Sequence, residues 1–162
     1  MAEADLTAVR LRARYTYHPE TGLFTHKITN SRCRVGGIAG GLKRGYVAIS
    51  LYGVYFSAHR LAWLYMTGEW PKGMIDHING DRADNRFENL RDVSRSVNNQ
   101  NQKRAHRTSV TGLLGVKPKG NFFESYINLD KKRLYLGRYR TAQEAHAAYL
   151  KKKREIHEGC TI

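Results

Sequence analysis

Cysteine is scarce in this chain: there are two, Cys33 and Cys160, and neither sits in a paired spacing. That excludes a four-ligand structural zinc site and disulfide stapling, both of which need thiols in matched sets. No long apolar run and no signal-like hydrophobic segment is present, so a membrane-spanning helix is excluded, and a soluble, intracellular protein, not a secreted one, is expected. Internal repeats are also missing. Acidic residues are few, 14 Asp and Glu against 28 Lys and Arg, a formal charge of +14.

This positive excess is not a tail. Residues 1–105 hold 16 basic and 9 acidic side chains, a balance of +7, and residues 106–162 hold 12 and 5, again +7. Two halves that are each basic suit a long polyanion touched by both, because clustered Lys and Arg gain affinity by releasing counterions from nucleic acid. The expected partner is a nucleic acid, with no membrane and no small-molecule cofactor, bound by a monomer or weak dimer. Charge alone does not separate DNA from RNA, so a basic RNA-binding protein is a third possibility behind the two weighed below.

The most informative stretch is DHINGDRADNRFENLR, Asp76 to Arg91. It sets a carboxylate beside a histidine and surrounds the pair with Asn79, Asn85 and Asn89. Cutting a phosphodiester at neutral pH needs an oxygen ligand to hold a hard cation against the phosphate and a base that titrates near neutrality to activate water. Asp76 can be the first and His77, with an unperturbed pKa of about 6.5, the second. The amides can orient the histidine or bond backbone turns, and Asn98, Asn99, Gln100 and Asn101 follow one helix further on.

From about Tyr15 to Asn101 the residues resemble the HNH endonucleases, in particular the phage and intron homing type with a histidine–arginine pair upstream of the core. The resemblance implies a small ββα-metal nuclease core. A hairpin would carry the aspartate–histidine pair, and the next helix would return a metal ligand. It implies His77 as general base, Asp76 and Asn98 as metal ligands, Asn89 as the asparagine that steadies the histidine, and His59 with Arg60 as the upstream pair. His59 also heads an apolar helical run, Leu61 to Met66, where a buried structural histidine is the competing reading. The implied cofactor is one divalent metal, Mg²⁺ in the cell with Mn²⁺ able to substitute, and no structural zinc. The implied activity is a site-preferring nick in DNA. The alternative is a DNA-binding regulator whose nuclease core has lost catalysis.

Residues 111–162 form a second pattern. FFESYIN and RLYLGRY have period-two spacings of strands with one covered face, and Ala142, Ala145, Ala148 and Tyr149 recur at helical spacing. Thr141 and Glu144 form a candidate capping box. The element Leu136, Gly137, Tyr139, Thr141, Glu144, Ala145 resembles the ethylene-response-factor type of DNA-binding domain, which implies a three-stranded antiparallel sheet backed by one helix, with the sheet entering the major groove. Leu113 and Leu114 stand where plant members carry arginine near the DNA, so base preference is not carried over. Lys117, Lys119, Lys131, Lys132, Arg133 and Arg138 are the expected DNA contacts by position and charge, while Lys151 to Arg154 point all round a helix and only some of them can face DNA.

The whole reads as an α+β chain. A nuclease domain with N-terminal β-hairpins spans 1–101, a basic linker 102–110, and the sheet domain 111–162. Upstream, YTYHPETGLFTHKI reads as strand, Pro19–Gly22 turn and strand, and GYVAISLYGVYFSAHR as a hairpin about Gly53. Between them, Arg32, Arg34, Lys43 and Arg44 lie among glycines in a basic loop, and residues 1–14 suggest no more than a short basic helix.

Overall fold

The computed structural model describes residues 5–29, 33–129, 132–157 and 160–161. The chain is mixed α+β and divides into two compact units, Met1–Arg95 and Ser96–Ile162. No helix among the described residues is long and apolar enough to cross a membrane.

In the first unit, helix α1 (Ala8–Arg14) starts at Thr7, whose hydroxyl accepts the Arg10 N–H, and buries Ala8 and Leu11. Strands β1 (Tyr15–His18) and β2 (Leu23–His26) form the first antiparallel hairpin, turned at Pro19–Gly22 as the sequence suggests. Strands β3 (Gly41–Lys43), β4 (Tyr46–Leu51) and β5 (Val54–Ser57) form an antiparallel sheet in that order, β4 and β5 being joined by the tight turn at Tyr52 and Gly53. Helix α2 (Ala58–Thr67) follows β5 directly and stops at Gly68, in the left-handed region that glycine adopts cheaply. It buries Ala58, Leu61, Ala62 and Leu64, the stripe that a 3.6-residue period puts on one face. These residues pack with Leu11, Tyr15, Tyr17, Phe24, Ile49, Leu51, Phe56, Ile75 and Leu90 into one core. Two further strands, β6 (Met74–His77) and β7 (Leu90–Val93), pair antiparallel in the register Met74↔Val93, Ile75↔Asp92, Asp76↔Arg91 and His77↔Leu90.

The second unit takes all but the first residue of helix α3 (Arg95–Gln100). Among the described residues no regular element lies between Gln100 and strand β8 (Val116–Lys119), which leads to β9 (Phe122–Leu129) and β10 (Lys132–Tyr139). The sheet is antiparallel in the order β10-β9-β8, with a register shift between Tyr135 and Gly137, and helix α4 (Ala142–Ile156) packs on it. Strand β8 was the element least visible in the sequence, since Lys117, Pro118 and Lys119 are all exposed and carry no hydrophobic alternation. The capping box forms: Thr141 accepts the Glu144 N–H, and Glu144 accepts the Thr141 N–H at 3.2 Å. Ser125 and Ile127 of β9 are buried, as are Ala145, Tyr149 and Lys153 of α4. Lys153 is thus the member of the Lys151–Arg154 run that is withdrawn from solvent; its Nζ donates to the Gln102 carbonyl at 2.6 Å, and burial lowers its pKa.

Gly115 and Gly120 both have positive φ, but a Cβ at Gly115 would lie 2.0 Å from the Tyr149 ring whereas one at Gly120 meets nothing within 4 Å. Gly120→Ala should therefore cost about 1 kcal/mol, the penalty of the left-handed conformation. Gly115→Ala should cost a further ~1–3 kcal/mol for displacing a buried ring. Urea unfolding of the two full-length variants checks the ranking, and equal losses would contradict the packing described.

Candidate active site

The chain leaves the sheet after His77 and re-enters it at Leu90, and the loop between is fixed by its own polar side chains. The Gly80 N–H bonds the His77 carbonyl at 2.8 Å, closing a turn directly after the strand. Asn79 Oδ1 accepts the Asp81 N–H and Asp81 Oδ1 accepts the Ala83 N–H, two side-chain-closed turns in succession. Asn89 then brackets the loop: its Oδ1 accepts the Asn79 N–H at 2.9 Å and its Nδ2 donates to the Asp84 carbonyl at 2.8 Å. Asn89 is 5 % exposed, so losing this carboxamide would strand a buried donor and acceptor at about 1–3 kcal/mol each. Arg86 grips both oxygens of Asp84 through Nε and Nη2, at 2.9 and 2.8 Å, and holds that carboxyl down at a pKa of about 2.

The first hairpin backs this loop. Tyr17 donates its hydroxyl to the Asn85 carbonyl at 2.6 Å, and the Phe87 N–H bonds the Pro19 carbonyl at 3.1 Å. Gly22 sits so close that a Cβ there would lie 2.4 Å from the Asn85 carbonyl carbon.

On this scaffold Asp76 and His77 are both 5 % exposed. Arg91, the antiparallel partner of Asp76, donates through Nε at 2.8 Å and Nη2 at 2.7 Å, both to Oδ2. The amide that reaches His77 is that of Asn85, whose Oδ1 lies 3.5 Å from His77 Nε2, while Asn89 bonds the backbone of the loop instead. Asn85 Nδ2 donates to the Ala83 carbonyl, which turns its oxygen toward the imidazole. A neutral ring donating from Nε2 to this oxygen would carry its basic lone pair on Nδ1. Burial lowers the His77 pKa below its ordinary value, opposed by the Asn85 hydrogen bond and by Asp76, Asp81 and Asp84.

His59, at the start of α2, meets His77 edge to face with ring centroids 5.1 Å apart. Tyr46 of β4 completes a triangle, 5.4 Å from His59 and 6.1 Å from His77. His59 is buried, its Nδ1 has no hydrogen-bond partner, and burial together with His77 and Arg60 pushes its pKa down to about 4. Arg60 lies with its guanidinium over the Trp70 ring at 5.6 Å. The structure thus brings Asp76, His77, Asn89 and His59 together in the first unit, while Asn98 sits half-buried on α3, in the second.

Residues 56–100 match the family model described as HNH endonuclease. The match covers under a third of the chain and likens this segment to the HNH endonucleases. Comparisons with the curated proteins and with the solved structures find no match. Asn85 is one of the amides singled out in the sequence, and Tyr46, Arg91 and Arg82, whose guanidinium lies over the Tyr46 ring, join the site beyond them. Of these only Tyr46 lies outside the HNH segment, and its signal in the sequence is nothing more than an aromatic at a strand start.

The donor set can be tested against a divalent metal. Among the described residues no three His, Cys, Asp or Glu side chains cluster as a cage. The buried Asp76 carboxylate fits a hard cation of the Mg²⁺ kind, since that ion keeps several waters and takes one or two carboxylates together with substrate phosphates, whereas the His59 imidazole nitrogen is not a donor such an ion favours.

The C-terminal sheet presents a second candidate surface. Alternation places Phe122, Glu124, Tyr126 and Asn128 of β9 on the face opposite Ser125 and Ile127. Lys117 and Arg138 pair in register with Glu124, Lys119 with Phe122, Tyr135 with Tyr126 and Arg133 with Asn128. Lys117, Lys119, Lys132, Arg133 and Arg138 are exposed; Lys131 lies outside the described residues. The guanidinium of Arg133 stands over the Tyr126 ring at 5.5 Å and that of Arg138 over Phe122 at 5.8 Å. Arg138 also bonds Glu124 at 3.1 Å, so part of its charge is already met.

Acid stability follows from His59. Its folded pKa of about 4 lies below the unfolded value of 6.5, so its contribution is complete above pH 6.5 and is lost as pH falls from there toward 4. Between pH 7 and pH 5 the loss from this residue should be about 2 kcal/mol. Denaturant unfolding of wild type and His59→Phe at the two pH values should show the variant losing less by about that amount, and parallel losses would contradict burial as the cause.

Proposed function

We propose that this chain is a homing-type DNA endonuclease that nicks double-stranded DNA inside the cell, with His77 as general base. The observation that carries this reading is the buried Asp76–His77 pair, fixed by Asn85, Asn89 and Arg91 within the HNH segment.

Because burial keeps His77 neutral at physiological pH, its Nδ1 can accept a proton from water without first losing one. The water oxygen bonds to phosphorus as the bond from phosphorus to the 3′-oxygen breaks, and the 3′-oxygen leaves and is protonated. Asn85 holds the ring through Nε2, which fixes both tautomer and direction. Asp76 is the proposed carboxylate ligand, oriented by Arg91, and the resemblance adds Asn98 as a neutral oxygen ligand. A divalent cation, Mg²⁺ with Mn²⁺ as substitute, would supply charge neutralisation at the phosphate. One carboxylate suits one metal, and one site per chain suits a single-strand cut.

The C-terminal sheet is proposed as an ethylene-response-factor-type DNA module. Its support is the exposed face on which Lys117, Lys119, Arg133 and Arg138 alternate with Phe122, Tyr126 and Tyr135. Cations bind the phosphates there, and aromatic rings hold the guanidinium groups flat.

Supercoiled plasmid incubated with Mg²⁺, Mn²⁺ or EDTA should be relaxed only with metal; binding without relaxation would favour a non-catalytic regulator. His77→Ala should keep DNA affinity and lose about 10²–10⁴ in nicking rate, and near-normal nicking would remove the base assignment. Asp76→Ala and Asn98→Ala should each raise the metal concentration needed, and Asn99→Ala much less so.

A separate expectation concerns the sheet. Lys117→Ala or Arg133→Ala should weaken binding and leave the rate at saturating DNA unchanged. Each lost phosphate contact should lower the slope of log affinity against log salt by about 0.9. An unchanged slope in both variants would show that this face does not meet DNA.

A further inference from the structure

The loop from Asp81 to Glu88 holds two arginines with different fates. Arg86 is spent within the loop, bonded to Asp84 and Glu88. Arg82 sits between Asp81 and Asp84 in sequence, yet it forms no hydrogen bond or ion pair with any described residue. Its guanidinium lies instead over the Tyr46 ring, 5.1 Å from the centroid, and the residue is exposed. A flexible arginine among carboxylates would ordinarily swing onto one of them, and Arg86 shows that Asp84 is within reach of this loop. Asp84 is already saturated by both Arg86 nitrogens and by Asn79 Nδ2, which leaves Arg82 unclaimed.

Tyr46 is the same ring that packs against both His59 and His77. Arg82 is therefore one aromatic ring removed from the base, and exposed to solvent. A planar fork with five donors, held over a ring and unpaired among the described residues, is pre-organised for two oxygens of a phosphate. Tyr46 lends it position: its ring fixes the guanidinium, and its hydroxyl has no hydrogen-bond partner among the described residues.

The geometry points to Arg82 as the scissile-phosphate clamp of this site, with Tyr46 as its positioning residue, the ligand being the non-bridging oxygens of a phosphodiester. This rests on the nuclease reading given above. As water adds and the phosphorus becomes five-coordinate, negative charge grows on those oxygens, and a fixed guanidinium stabilises that state more than the ground state. Its contribution should appear in kcat rather than in DNA affinity, which the many other cations of this chain supply.

The test uses the full-length chain with two substrates: supercoiled plasmid, and bis(4-nitrophenyl) phosphate, a diester with no groove or neighbouring phosphates. Arg82→Ala should lower kcat about 10²–10³-fold on both, with DNA affinity within about twofold and an unchanged melting temperature. Arg82→Lys should recover part of the rate, since a point charge lacks the fork. Guanidinium chloride at millimolar concentration should rescue Arg82→Ala and not His77→Ala. Tyr46→Leu should lose about five- to tenfold on the diester, the worth of the cation–π contact, and Tyr46→Phe, which keeps the ring, should lose less. If wild type cuts and Arg82→Ala cuts equally well at saturating substrate, or if its loss lies wholly in DNA affinity, the clamp is wrong and the nuclease stands. If wild type cuts neither substrate with any divalent metal, the nuclease reading fails and the clamp fails with it.

Discussion

One buried carboxamide, that of Asn89, sets the shape of the loop between His77 and Leu90. A strand that ends at His77 and resumes at Leu90 must bring its two ends back into register across everything between. Asn89 does this by joining a donor near the loop's start, the Asn79 N–H, to an acceptor further on, the Asp84 carbonyl. Its own carbonyl then accepts the Ile78 N–H at 2.9 Å, so side chain and backbone of one residue close the loop twice. The pairing of Asp76 with Arg91 and the approach of Asn85 to His77 both presuppose that closure.

Burial does chemical work on the same scaffold. The rings of His59 and His77 meet, and burial pushes both imidazoles toward the neutral form, reinforced at His59 by His77 and Arg60 and opposed at His77 by the Asn85 carboxamide and by Asp76, Asp81 and Asp84. The Asp76 charge is met by Arg91 from the facing strand, an ion pair whose geometry is given by strand register rather than by side-chain search. The result is a preformed arrangement with little conformational entropy left to lose, the condition under which a single base can be effective.

Much of the site was legible because its residues are close in sequence. The spacing of Asp76, His77, Asn85 and Asn89 is a local property of one loop, and the hairpins around Pro19–Gly22 and Gly53 were marked by turn chemistry. Which amide would meet the histidine was not legible, since Asn85 and Asn89 are chemically identical and only the folded loop distinguishes them. Tyr46 was invisible for another reason: it reaches the histidines from a different sheet, and nothing in strand periodicity records a cross-sheet contact. The same limit explains Lys153, whose buried Nζ donates to the carbonyl of Gln102, far away in sequence. The C-terminal helix, by contrast, announced itself through Thr141 and Glu144, because a capping box is a contact between near neighbours.

The support of the loop by the first hairpin has a consequence for modularity. Tyr17, Pro19 and Gly22 all lie upstream of the HNH segment, yet they supply a hydroxyl, a carbonyl and a gap against which residues 85–87 are seated. The chemistry is concentrated in one segment, but the segment is not a transplantable cassette. Moved alone onto another scaffold it would carry Asp76, His77 and their amide partners while leaving behind the wall that keeps them in place.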